Sequence, residues 1–161
     1  MIKSKSIKRA AIAAIVAMAF GAPAFAAGDL HTHGHEAGEA KLVLNQGKKW
    51  QTDAPLRAGM ENIRGAVANN VKVIHADKAT AKQYEALAAK VTSEVAGIVQ
   101  NFKLDPEADA QLHIVVGELM AGAEVMEGKV EGEARRAGAE RVAKALNAYG
   151  EHFEHAGWKR L

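Results

Sequence analysis

The chain has no cysteine. Disulfides, thiolate metal centres and covalently attached c-type haem are thereby excluded, and a fold of this composition must be held together by packing alone. Aromatic residues are scarce, with two Trp, two Tyr and four Phe in 161 residues, so the core has to come from aliphatic side chains and alanine. No segment alternates apolar and polar residues with period two over a useful length, which removes half-buried strands. The one long hydrophobic run, AAIAAIVAMAF from Ala10, is too short and too rich in alanine for a membrane anchor.

That run instead has the context of a secretory signal. Lys3, Lys5, Lys8 and Arg9 precede it, and Ala24-Phe25-Ala26 offers small residues at the cleavage positions. Residues 1–26 are therefore expected to be removed, leaving a periplasmic protein of about 135 residues with no membrane insertion, long enough for one domain. Four of the 21 basic residues leave with the signal. The remaining 17 face 19 acidic ones, a net charge of about −2 with neutral histidines, so the basic balance belongs to the precursor. Without a basic excess or a Lys/Arg block, a nucleic-acid partner is not expected.

Residues 27–51 are rich in glycine and polar side chains, with only a short Leu-Val-Leu run and Trp50 to pack, and read as a flexible tail. Residues 52–161 carry four apolar stripes at the helical period. The first, from about Asp53 to Ala76, places Leu56, Met60, Ile63, Val67, Val71 and Ile74 on one face, with Asp53 as cap and Pro55 in the first turn. The second, about Thr80 to Phe102, aligns Tyr84, Leu87, Val91, Val95 and Ile98. Asp105-Pro106-Glu107 opens the third as cap, first-turn proline and first-turn acid; Leu112, Val115, Val116, Leu119, Ala123 and Met126 form its stripe, and Gly128 breaks it. The fourth runs from about Val130 to Ala156, with Val142, Leu146, Tyr149 and Phe153 inward and Gly157 as its stop. Four such helices on short connections predict an all-α, up-down-up-down antiparallel four-helix bundle. Glycines at positions 59, 65, 97, 117, 122, 138 and 150 admit two readings, close helix packing or space for a cofactor.

In that topology the start of the first helix and the end of the fourth share one end of the bundle, which brings Met60 and His152 near one axial level. Met60 lies on the apolar stripe. Counting about 100° per residue from Tyr149, His152 sits at the stripe edge and His155 points towards solvent, as does His113 on the third helix. A thioether and an imidazole facing each other across two helices are an axial pair for haem iron, which makes Met60 and His152 the candidate cofactor ligands. For each alone, ordinary core packing and a boundary hydrogen bond are the competing readings.

Four stretches resemble the cytochrome b562 family: LRAGMENIRGAV at Leu56 to Val67, IVVGEL at Ile114 to Leu119, EGKV at Glu127 to Val130, and NAY at Asn147 to Tyr149. The similarity spans most of the chain from about residue 54. It implies a periplasmic bundle that binds haem b non-covalently through Met60 and a histidine of the last helix and passes single electrons to a redox partner. In the family that histidine directly follows Asn-Ala-Tyr. Here the place is taken by Gly150, and His152 stands two positions further on.

A second candidate site lies in the tail. His31, His33 and His35, with Glu36 beside them, form an alternating tract able to bring two or three imidazoles to one Cu(II), Ni(II) or Zn(II), giving a metal-binding or metal-buffering protein with a haem-free bundle. The alternative is a solvated tail whose histidines only titrate. His75, at the other end of the bundle, is suited to a helix C-terminus and is given no function. An enzyme is not expected: there is no nucleophile elbow, phosphate loop or zincin motif. The residues three before His75, His113, His152 and His155 are Lys72, Ala110, Tyr149 and His152, so the Glu-x-x-His pairs of di-metal carboxylate bundles are missing. A bundle that serves only to bind a protein partner is the third reading.

Overall fold

The computed structural model describes residues 41–161, and the expected signal segment and the His31 to His35 tract lie outside them. Four helices follow in order: α1 (Ala54–His75), α2 (Ala81–Asn101), α3 (Pro106–Glu127) and α4 (Arg135–His152). Consecutive helices pack against each other and α4 closes on α1, whereas α1 and α3 stand diagonally across the shared core without close backbone approach. This is the all-α four-helix bundle that the four stripes predict.

Each start has a local cause. Asp53 caps α1 by accepting the Leu56 N–H on Oδ1 at 2.9 Å, and its Oδ2 takes the Lys103 N–H at 2.5 Å, tying the α2–α3 connection to the beginning of α1. Thr80 and Gln83 form a reciprocal capping box on α2. Asp105 stands at the cap position of α3 but makes no side-chain bond there; the first turn is favoured instead by Pro106, Glu107 and Asp109. Gly128 ends α3 in the left-handed conformation at φ 76°, with Gly128 N–H donating to Val125 O and Lys129 N–H to Glu124 O. Those two bonds define a Schellman stop.

The fourth helix is shorter at both ends than its stripe predicts. Gly132 at φ 79° cannot continue a right-handed helix, so residues 128–134 form a loop and α4 begins at Arg135. At the other end Phe153 turns to ψ 141° because Trp50 reaches in from the segment before α1. The Trp50 N–H donates to His152 O and the Glu154 N–H to Trp50 O, both at 2.8 Å. A single isolated bridge between Trp50 and Phe153, of the parallel kind, replaces the next helical turn, and Gly157 serves a later turn at φ 80° rather than the helix stop.

The core contains the expected stripe residues, among them Leu56, Met60, Ile63, Val91, Ile98, Leu119, Leu146, Tyr149 and Phe153, all essentially without exposed surface. Val71 and Val116, also expected inside, are half-buried. The α3–α4 seam is the tightest. A Cβ added at Gly122 would stand 2.7 Å from Gly138 O, and one at Gly138 would stand 2.7 Å from Met126 N. Together with Gly59 against Ile98, these positions follow the close-packing reading, while Gly65, Gly97 and Gly117 face open space.

Candidate functional site

The end of the bundle formed by the start of α1 and the end of α4 gathers most of the side chains with chemistry to offer. The segment before α1, expected to continue the tail through Gln51, is instead laced onto it. Val43 N–H donates to Gln111 Oε1 at 2.8 Å, Trp50 Nε1–H to Val43 O at 2.6 Å, and Lys49 Nζ to Gly150 O at 2.7 Å. With Trp50 N–H on His152 O, the unpaired carbonyls at the α4 C-terminus acquire donors, one of them a cation placed at the negative end of the helix dipole.

Beyond Phe153 the chain does not leave the bundle. Residues 153–161 turn back along α4, and Asn147 holds Leu161 through Oδ1 to its N–H at 3.0 Å and Nδ2 to its carbonyl at 3.4 Å. The Trp158 indole lies on Gly150, so closely that a Cβ at that position would collide with Cδ1 and Nε1 of the ring. Only glycine leaves room for this seat. Trp158 also packs edge-on to Tyr149 with centroids 4.9 Å apart, and the Arg64 guanidinium of α1 stands 5.9 Å from its centroid. The segment therefore touches both α1 and α4. Its indole N–H is buried without an acceptor among the described residues, a cost of about 1–3 kcal/mol that the contact carries.

No family model, curated protein or solved structure matches the chain. The site has to be read from its own geometry.

Met60 and His152 are not placed in one environment. Met60 has no exposed surface and is part of the packed core, between Gly59 and the Ile63 turn of α1. His152 is the last residue of α4, half-buried and outside that core, with Nδ1 2.8 Å from the carbonyl of Ala148 one turn back. His113 is exposed, as expected, and its Nδ1 lies 2.9 Å from Asp109 O. The histidine expected to face solvent is the one drawn in. His155 places Nδ1 3.1 Å from the Tyr149 hydroxyl and sits against the Trp158 ring at 4.9 Å. The 100° count failed for it because the helix ends three residues earlier.

Electrostatics follow the packing. Burial holds the His155 imidazole below its ordinary range, opposed by Glu61 and assisted by Arg57 and Arg64. Burial also pushes the Tyr149 phenol well above its usual range, so it stays a hydroxyl. Glu61, hydrogen-bonded by Arg64, is held below the usual carboxylate range. A neutral histidine, a neutral phenol and an indole make a plug, and none of them is left as an open pair of metal ligands. No group of three or more His, Asp or Glu suited to a metal ion occurs among the described residues, and no described helix is long and apolar enough to cross a membrane.

Sequence reasoning missed Trp158, His155, Arg57 and Thr52. Gly150 was the available signal: a glycine two residues before the helix end, on the flank of the inward Tyr149, marks a close approach by something large.

Proposed function

We propose that the mature chain is an exported, haem-free four-helix bundle that binds a divalent transition metal, Cu(II), Ni(II) or Zn(II), through His31, His33 and His35, with the bundle as its carrier. The observation that carries the reading is the seat of Trp158 on Gly150. Gly150 is the position at which the resemblance to cytochrome b562 requires an imidazole, and the indole fills the space such a ring would need. Met60, the other member of the pair, is enclosed by core side chains. These residues do not fit a haem held between α1 and α4, and the reading gives Met60 and His152 structural roles and requires no redox partner.

With the bundle closed, the alternating tract is the metal-binding chemistry that remains. Neutral imidazoles suit borderline divalent metals, and two or three of them spaced one residue apart on an extended chain reach a single ion. Calorimetric titration of the mature protein with Zn(II) and Cu(II) should give a site that disappears in the His31→Ala, His33→Ala, His35→Ala variant. Its affinity should fall below about pH 6, where the free imidazoles protonate. Unchanged stoichiometry in that variant would remove the tract as the site.

A further inference from the structure

Five of the described arginines have a glutamate partner: Arg64 with Glu61, Arg135 with Glu85, Arg136 with Glu140, Arg141 with Glu118 and Arg160 with Glu151. Arg57 has none among the described residues. Its Nη1 donates to Thr52 O at 2.6 Å and lies 3.0 Å from Thr52 Oγ1, which fixes the guanidinium, while Nε and Nη2 make no hydrogen bond among the described residues. Thr52 is itself held, donating its hydroxyl to Glu154 O at 2.5 Å. Arg57 lines a cavity of about 330 Å³ together with Gln51, Thr52, Glu154, His155 and Ala156. Glu154 belongs to the same lining, and its exposed carboxylate has no ion-pair partner among the described residues.

Two opposite charges thus line one cavity without being paired to each other. With burial favouring the neutral form of His155, Arg57 and Glu154 are the charged residues of that lining among the described residues. The volume is within the range of small-molecule sites. An arginine with a fixed plane and free N–H groups is suited to a carboxylate, which it binds through parallel hydrogen bonds. A simple anion would gain Arg57 but meet the charge of Glu154, and a simple cation the reverse. We propose that this cavity is a binding site for a small zwitterion of the α-amino acid class, its carboxylate taken by Arg57 and its ammonium by Glu154. Gln51 and Thr52 add neutral donors and acceptors around it.

The test is ligand-observed NMR on the mature protein with glycine, alanine and glutamate, beside acetate, methylammonium and inorganic phosphate. Saturable binding of at least one amino acid is expected, with acetate and methylammonium each weaker by about tenfold or more. Arg57→Gln and Glu154→Gln should each weaken it by a similar factor. Glu154→Gln keeps the test sound if Arg57→Gln disturbs the Thr52 contact, since the exposed Glu154 side chain makes no bond among the described residues. Absence of saturable binding of any amino acid up to about 10 mM would overturn the proposal. So would phosphate or acetate binding as tightly as the amino acids, or binding indifferent to Glu154→Gln. The proposal is independent of the histidine tract, and loss of metal binding in the triple alanine variant leaves it untouched.

Discussion

Where α3 crosses α4, Gly122 and Gly138 bring backbone against backbone; where α4 faces α1, the helices meet over a smaller interface and residues 153–161 pack against both. Both seams depend on a glycine, but what approaches the glycine differs. At Gly138 the neighbours are Gly122 O and Met126 N, main-chain atoms of α3 that cannot move without moving the helix. At Gly150 the neighbour is the indole of Trp158, a side chain on a terminal segment. One seam fixes the fold, whereas the other is closed by residues 153–161, which pack against both α1 and α4.

Breaking the first seam should cost most. Gly138→Val forces an overpacked crossing, and a loss of about 3 kcal/mol is expected from urea unfolding, larger than the roughly 1 kcal/mol of helix propensity that replacing glycine can return. Trp158→Ala should cost less, about 2 kcal/mol, because the ring is only half-buried and its N–H lacks an acceptor. Amide exchange should then rise at residues 153–161 while the α3–α4 seam stays protected. Gly150→Ala sharpens the comparison. It should displace Trp158, giving a red-shifted indole emission when measured in a Trp50→Phe background, at a stability change within about 1 kcal/mol. The equivalent Gly138→Ala change has no side chain to push aside and should be clearly destabilising.

The smallest effect is in pH. His155 has a folded-state pKa below its unfolded value of about 6.5, so the stability it contributes is full above that value. As pH falls below it the unfolded chain takes up the proton first, and stability declines until the folded-state value is passed. Melting temperatures should therefore slope downwards on acidification below about pH 6.5, before the carboxylates titrate, and His155→Gln should flatten that part of the curve.

The bundle itself was legible because each stripe is a local property: Leu56, Met60, Ile63 and Val67 name one face of α1 whatever surrounds it. The start of α1 at its Asp53 cap was equally readable, whereas the Thr80–Gln83 capping box of α2 emerged only from the structure. The end of α4 was not, since it is set by Trp50, a hundred residues earlier in the chain, whose pairing with His152 and Glu154 no local pattern announces. The error in α4 then propagated to the site. Extending the helix to Ala156 sent His155 outward, whereas the break at Phe153 turns it onto the Tyr149 hydroxyl; His152 stays half-buried at the helix end. Arg57 was hidden for a different reason: a charged residue beside an apolar stripe is ordinary, and only the folded structure shows that no carboxylate among the described residues pairs with it.

At the α1–α4 end the space beside Gly150 is filled by residues 153–161, with Trp158 seated on the glycine. The most direct test of this packing is a titration of the protein with haem, followed by visible spectra in the oxidised and reduced forms. Only the spectrum of free haem should appear, with the helical circular dichroism unchanged. Sharp reduced bands that vanish in both Met60→Ala and His152→Ala would show that the bundle opens to hold iron between those two residues, and would contradict it.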